Sequence, residues 1–331
     1  MIDRLSYVEA DGTDPYANLA LEAYLLDTVE EGQCILYLWR NARTVVIGRN
    51  QNAADECDIS ALEEDGGHLA RRLSGGGAVY HDLGNLNFTF LVRTPDYSLE
   101  AQNAVVLGAV RACGVHALRT GRNDLTTPDG RKFSGHAYYH TRDASYHHGT
   151  LMVDVDTAPL QRYLRVSPLK LASKGVRSVR SRVVNLAELA PGLTVETLKA
   201  ALADQFGVVF GAPVETLTRD ALDEVRLEQL RARFSSPVWI LRDSRPLDAS
   251  CTRRFDWGTV RLDLSTRAGH VADVMLWSDG LEADAIEAAP RALAGCPVEP
   301  AALVRRLVET GASEDMARDL AGVIMDIATD D

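Results

Sequence analysis

Leu69–Leu91, LARRLSGGGAVYHDLGNLNFTFL, gathers residues with special backbone or charge requirements into one short stretch. Arg71 and Arg72 lead into Gly75, Gly76 and Gly77, which can take positive φ and let a ligand approach the bare main chain. Ala78, Val79 and Tyr80 resume an extended pattern, and His81-Asp82-Leu83-Gly84-Asn85 reads as a turn. Leu86–Val92 alternates large apolar with polar or small side chains, a strand pattern. The stretch therefore predicts strand, glycine loop, strand, turn, strand. Cations beside exposed amides suit an anion, most obviously a phosphate. It is neither a nucleotide P-loop nor a dinucleotide fingerprint, because no Lys-Ser or Lys-Thr follows the glycines and a strand comes next. A glycine-rich hairpin without a ligand is the other reading of the same composition.

Working outward, Asp14–Glu30 opens with Asp-Pro and predicts an amphipathic helix. Cys34–Trp39 and Thr44–Ile47 read as strands, the second followed by the loop Gly48–Asn52. Cys57–Asp65 reads as a helix stopped at Gly66-Gly67. Downstream, Gln102–Gly114 predicts a helix and Val115–Leu118 a strand. Thr126–Gly130, TTPDG, is a tight turn that would hold Asn123 or Asp124 near Lys132. Ala144–Val155 returns as a strand, and Thr194 caps a helix reaching Phe206. From about Pro237 short alternating strands precede helical Pro300–Gly311 and Glu314–Ala328. That pattern predicts a small separate α+β domain joined through Ser244–Cys251, so the expected division is 1–243 and 244–331.

The chain has 331 residues, 46% hydrophobic and 25% charged, an ordinary globular composition with room for two cores. A formal charge of -12 argues against nucleic acid as a bulk partner. Five cysteines, widely spaced and without a CxxC pair, suggest neither a disulfide scaffold nor a thiolate zinc site. A reducing cytoplasm is expected, since Met1-Ile2-Asp3-Arg4 does not open a signal peptide and no apolar stretch is long enough to span a membrane. Within this acidic chain, residues 157–187 hold Arg162, Arg165, Lys170, Lys174, Arg177, Arg180 and Arg182 and no Asp or Glu. Such a run is either a solvated face or a mobile loop that folds over an anion.

Arg71–Asn85, RRLSGGGAVYHDLGN, closely resembles the signature of bacterial lipoate-protein ligases. The likeness recurs in Trp39-Arg40-Asn41, in Val45–Asn52 (VVIGRNQN), in Gly121–Leu125 (GRNDL), in Arg131–Gly135 (RKFSG), in His147–Thr150 (HHGT) and in Ser173–Leu186 (SKGVRSVRSRVVNL). The resemblance implies an α/β (α+β) fold. Its large biotin/lipoate-protein-ligase-like catalytic domain would have a mixed or antiparallel sheet flanked by helices, with a small C-terminal α+β accessory domain. It implies an enzyme that activates free lipoate with ATP and Mg2+ to lipoyl-AMP and pyrophosphate. The lipoyl group would then pass to a lysine on lipoyl domains of 2-oxoacid dehydrogenase complexes or on the glycine-cleavage H protein. An ATP-independent lipoyl or octanoyl transferase on the same fold is the alternative.

By the same resemblance Lys132 is the catalytic cation, touching both the lipoyl carbonyl and the α-phosphate. Arg72, Gly77, Ala78, Val79, Tyr80, Asn85, Asn123 and Arg182 would join Lys132 in binding ATP and AMP. Gly75, Gly76, His81 and His148 would lie along the lipoate, and Asp124 would hold the magnesium. The segment Lys174–Arg182 is expected to close over AMP. Leu19, Leu21, Val46 and Phe88 are candidates for an apolar tunnel around the acyl tail. Two departures from the family pattern fall near the acyl site: the short TTPDG turn, and His136 where a small residue is common.

Overall fold

The computed structural model describes residues 2–120, 123–165, 183–218, 220, 222–242 and 247–329. Gly121, Arg122 and the whole of the basic segment 174–182, Arg182 included, lie outside the described residues. In chain order, β1 (Arg4–Glu9) and β2 (Gln33–Trp39) begin a large sheet, while β3 (Thr44–Ile47), β4 (His68–Arg71) and β5 (Val79–His81) form a small one. Strands β6 (Asn85–Arg93), β7 (Leu118–Thr120), β8 (Asp124–Thr126), β9 (Lys132–His140), β10 (Ala144–Met152) and β11 (Val214–Thr216) complete the large sheet. Its order is β11-β1-β2-β6-β10-β9-β8-β7, parallel where β1 meets β11 and β2 and antiparallel elsewhere. This is the mixed sheet that the family resemblance implies.

The period-two alternation of each strand decides which helix covers which face. Leu36, Leu38, Phe88, Phe90 and Leu151 point to one side and pack on Val105, Val106, Leu202 and Phe206 of helices Leu99–Ala112 and Val195–Phe210. Their neighbours of opposite parity, Ile35, Tyr37, Trp39, Leu91 and Tyr146, pack on Leu19, Ala23 and Leu26 of helix Pro15–Thr28. Each such side chain removed from water contributes roughly 1.5–3 kcal/mol. Phe88 thus belongs to the core beneath the sheet and not to an acyl tunnel. Leu19 is likewise core, and Leu21 lines a different cavity, between helix Pro15–Thr28 and residues around Leu227.

Local boundaries follow the capping residues. Helix Leu99–Ala112 starts three residues before the expected Gln102 because Ser98 accepts the Ala101 amide at 3.3 Å. Helix Val195–Phe210 outlasts the expected Phe206 and ends only where Gly211 turns left-handed, φ 70°. Val115 and Ala117, expected in a strand, are buried in the core ahead of β7. Two of the longer helices have no counterpart in the sequence reading, Glu224–Ser235 and Ala283–Leu293 with its buried Ala285, Ile286, Ala289 and Leu293, and Pro237–Leu241 is a short helix where strands were expected to begin.

The C-terminal α+β domain has its own antiparallel sheet of β12 (Ala249–Phe255), β13 (Gly258–Arg267) and β14 (His270–Ser278). Ala249–Cys251, expected as linker, is already strand, because it pairs with Leu262–Leu264. Helices Ala283–Leu293, Pro300–Val308 and Glu314–Thr329 close a second core over this sheet. The domain sits against the glycine loop. Gly76 donates its amide to the Gly280 carbonyl at 3.2 Å, Ser278 donates to the Asn50 carbonyl at 2.8 Å, and Arg49 pairs with Asp284 at 2.6 Å. Among the described residues no helix is long and apolar enough to cross a membrane.

Candidate functional site

Strand register lays out one row of residues across the large sheet. Trp39 of β2 aligns with Asn87 of β6, and Asn87 with Thr150 of β10. Gly135 of β9 donates its amide to Thr150 Oγ1 at 3.2 Å and aligns with Asp124 of β8. Residues in register on neighbouring strands share a face. Four strand spacings make the row roughly 19 Å long. All five members line one cavity of about 320 Å³, closed above by Val46 and by Gly76, Gly77, Ala78, Val79 and His81 of the glycine loop and β5. Trp257 and Leu281 of the C-terminal domain complete the wall.

At the β8–β9 end stands Lys132, whose Nζ lies 2.7 Å from Asp124 Oδ1. The turn Thr127–Gly130 makes this possible. Thr127 donates to the Arg131 carbonyl at 2.9 Å and Gly130 takes φ 83°, so the chain reverses within a few residues. Gly135 leaves the Lys132 ammonium its room, since a Cβ there would stand 2.8 Å from Nζ and push the side chain aside. Asn123 seals the hairpin by donating Nδ2 to the His136 carbonyl at 3.3 Å while its own carbonyl accepts the His136 amide at 2.8 Å. Both members of the ion pair keep solvent contact, with side chains 32% and 20% exposed.

The arginines ahead of the glycines serve the loop itself. Arg71 is fully buried and donates to the carbonyls of Gly48, Arg49 and Gln51 at 3.1, 2.9 and 2.6 Å and to Ile240 at 2.6 Å. Burial lowers its pKa to about 9, with Arg242 adding to the effect. It is a staple between loop and helix Pro237–Leu241 rather than an anion ligand. Arg72 donates Nη2 to the Gly75 and Gly77 carbonyls at 2.7 and 2.8 Å and Nη1 to Val46 at 3.1 Å. With the carbonyls held by Arg72, the loop can present its amides. Among the described residues the Gly77 and Ala78 amides meet no backbone carbonyl. Gly76 adopts φ 91°, and Gly48 leaves room for its carbonyl, since a Cβ there would lie 2.1 Å from the Gly76 oxygen.

The other end of the row is sealed. His148 Nδ1 lies 2.8 Å from Glu22 Oε1, and His148 Nε2 2.8 Å from Ser74 Oγ. Glu22 also accepts from Thr89 Oγ1 at 2.8 Å, and Thr89 Oγ1 from Trp39 Nε1 at 3.0 Å. The Ser74–His148–Glu22 order is that of a hydrolytic triad. Yet Ser74 is fully buried, does not line the cavity and takes Arg72 Nε at 3.0 Å, so it fixes the loop instead of attacking substrate. His81 lies beside Trp39, ring centroids 6.0 Å apart. Burial, then Arg72 and His148, lowers the His81 pKa to about 3, keeping the imidazole neutral. A second chain runs from Ser134 through His136 to His147 and Gln102, at 3.0, 2.9 and 3.2 Å. Burial, reinforced by Lys132, lowers the His136 pKa to about 3.

The cavity thus brings together Arg72, Gly76, Gly77, Ala78, Val79, His81, Asn123, Asp124, Lys132 and His148. It does not bring in three others. Gly75 faces the C-terminal domain, where a Cβ would meet the Gly280 carbonyl at 2.3 Å. Tyr80, of opposite parity to Val79, packs on Tyr163 with ring centroids 5.7 Å apart. Asn85 is buried and donates Nδ2 to Asn87 Oδ1 at 3.0 Å, so it stands one residue behind the wall. Of the tunnel candidates only Val46 lines the cavity. Trp39, Asn87 and Glu22 were not singled out for this site. Glu22 left a signal, a lone acid on the stripe formed by Leu19, Ala23 and Leu26. None of the five cysteines lines the cavity, and burial raises the Cys113 thiol, against a thiol nucleophile.

Comparison with known proteins gives the same direction. The family signature described as the lipoyl protein ligase A/B catalytic domain matches residues 14–207, and that of the bacterial lipoate protein ligase C-terminus matches residues 246–321. The crystal structure of P. falciparum LipL1 in complex with lipoate superimposes with a TM-score of 0.84 at 25% identity, covering 97% of this chain and 99% of that one. The bipartite lipoate protein ligase of Thermoplasma acidophilum, solved with its E2 lipoyl domain, gives 0.62 at 28% identity over 75% of this chain and 100% of that one. A lipoate-protein ligase A bound with ATP gives 0.60 at 26% identity over 73% of this chain and 99% of that one.

Proposed function

The chain belongs to the lipoate-protein ligase family, and from that premise we propose that it joins free lipoate to protein in two steps. In the first, a lipoate carboxylate oxygen attacks the α-phosphorus of ATP, forming lipoyl-AMP as the bond to pyrophosphate breaks. In the second, the ε-amino group of an acceptor lysine attacks the acyl carbon, AMP leaves, and the amine gives up a proton. The acceptors would be lipoyl domains of 2-oxoacid dehydrogenase complexes and the glycine-cleavage H protein. Support for the first of these partners comes from the E2 lipoyl domain that accompanies the T. acidophilum relative.

The observation that carries this reading is Lys132 at the open end of a groove whose opposite wall is a loop of glycine amides. Charge building up on a phosphorus centre is stabilised best by fixed donors that need no reorganisation. Lys132 Nζ supplies one, shared between acyl oxygen and α-phosphate, and the Gly77 and Ala78 amides supply others. Asp124 fits magnesium, which takes one or two protein carboxylates and completes its shell with phosphate oxygens and water. The ion would supply charge neutralisation on the phosphates. Five free cysteines support a reducing compartment such as the cytoplasm. We place the division between catalytic and accessory domains at 243/244. Lipoate-dependent ATP–pyrophosphate exchange tests the adenylation step. Its absence, with transfer from a lipoylated donor intact, would establish the ATP-independent transferase in its place.

A further inference from the structure

The following inference rests on the ligase reading and sharpens which acyl chain the site takes. Two histidines stand at the sealed end of the groove, and their hydrogen bonding differs. His148 has both ring nitrogens engaged, one on Glu22 and one on Ser74. His81 has one. Asn18 Nδ2 donates to Asn41 Oδ1 at 2.9 Å, which fixes the orientation of the Asn41 amide, so Asn41 Nδ2 donates to His81 Nδ1 at 3.2 Å. Nδ1 is therefore the lone-pair nitrogen, and the proton of the neutral ring sits on Nε2. That Nε2 is buried and meets no partner among the described residues, on a residue only 3% exposed that lines the cavity next to Trp39. Buried donors without acceptors are rare in folded proteins, and one in the wall of a cavity points to a ligand atom.

We propose that His81 Nε2–H reads the far end of the acyl chain and selects a chain whose terminal ring sulfurs can accept a hydrogen bond over an all-carbon chain of the same shape. The register supplies the direction. With the carboxylate at Lys132, a chain lying along the Asp124–Gly135–Thr150–Asn87–Trp39 row ends where Trp39 and His81 close it. A ring sulfur is a weak acceptor, but beside a buried donor the alternative is an alkyl carbon that accepts nothing. An alkyl tail leaves that donor unsatisfied, while a dithiolane satisfies it.

The test compares lipoate, octanoate and the cyclopentane isostere of lipoate, with methylene in place of each sulfur. Each is measured in ATP–pyrophosphate exchange and in calorimetric binding to the unaltered protein. Lipoate is expected to exceed the isostere in kcat/KM and in affinity by about tenfold, chiefly through KM. In His81→Leu that ratio should fall towards one, and His81→Gln, which restores an N–H, should recover part of it. Equal affinity for lipoate and its isostere in the unaltered protein overturns the proposal without any variant. So does an unchanged ratio in His81→Leu while both substrates weaken together. Exchange absent with the binding preference intact would instead overturn adenylation and leave the role of His81 standing.

Discussion

Lys132 with Asp124 and His148 with Glu22 are the same kind of pair, a basic nitrogen on a carboxylate, at opposite ends of one groove. Their distances are 2.7 and 2.8 Å. Their surroundings are not alike. The first pair has side chains 32% and 20% exposed, whereas the second is 8% and 1% exposed. An open pair gains little from its own attraction, so either partner can turn to a substrate at small cost. A sealed pair cannot be separated without leaving a buried group unmatched. The groove therefore has one end that can exchange its partners for phosphates and one whose partners are fixed to hold shape.

The largest expected effect falls at the open end. Lys132→Ala should lower lipoate-dependent exchange by roughly 10²–10³ or more, since one transition-state donor is removed. Its thermal unfolding should scarcely change, because a half-solvated lysine contributes little to stability. Near-normal exchange in this variant would break the comparison, for the open end would then have no special part in handling charge.

At the sealed end the order of effects reverses. Glu22→Ala removes the acceptor for both His148 Nδ1–H and Thr89 Oγ1. Two buried donors left unmatched should cost about 2–4 kcal/mol, read as a lower urea midpoint at constant slope. A loss below about 1 kcal/mol would mean that water reaches this end and that the distinction between the two pairs fails.

Acid separates the ends more gently. Burial holds His81 and His136 neutral down to about 3, against an ordinary imidazole value of 6.5. Between those values the unfolded chain binds protons that the folded chain refuses, so acid favours unfolding. Their contribution is complete above 6.5 and is lost as the pH falls towards 3. Each imidazole should take about 1 kcal/mol from stability over the first unit below that point. Replacing His136 with Leu should flatten the slope by one imidazole's share, measured by urea unfolding at a series of pH values.

Sequence pattern revealed the open end better than the sealed one, for physical reasons. Gly75–Gly77 and the Thr-Thr-Pro-Asp-Gly turn announce themselves through local backbone needs, the tight turn brings Asp124 to Lys132 within a few residues, and the role of Lys132 came from the family resemblance. Strand parity was equally local, so β2, β3, β6 and β10 were legible, whereas β1 and β11 were not read and the mixed sheet was implied by the family resemblance alone. The sealed end is assembled from four separate elements. Glu22 rides a helix, Ser74 follows a strand, and Thr89 and His148 meet only through the β6–β10 register. Nothing near Glu22 in the chain indicates that its partner is His148. The placement of Arg71 was misread for the same reason: its acceptors include Ile240, on a helix far along the chain. Tyr80, expected at the nucleotide site from the family resemblance, turns from the cavity towards Tyr163 because adjacent strand residues face opposite ways.

The smallest predicted effect is the sharpest control on the comparison. Asp124→Ala deletes a carboxylate just as Glu22→Ala does, and from a pair of nearly equal length. If contact distance set the energy, the two substitutions would cost the same. Desolvation says otherwise: water reaches Lys132 Nζ once Asp124 is gone, so the ammonium is rehydrated and stability should change by no more than about 1 kcal/mol. Added salt should erase even that difference, because a half-exposed pair is screened, while the Glu22→Ala deficit should persist in the same buffer. Equal losses in the two variants would show that the β8–β9 hairpin is as closed as the His148 end, and Lys132 would then need a cost of opening before any phosphate could reach it.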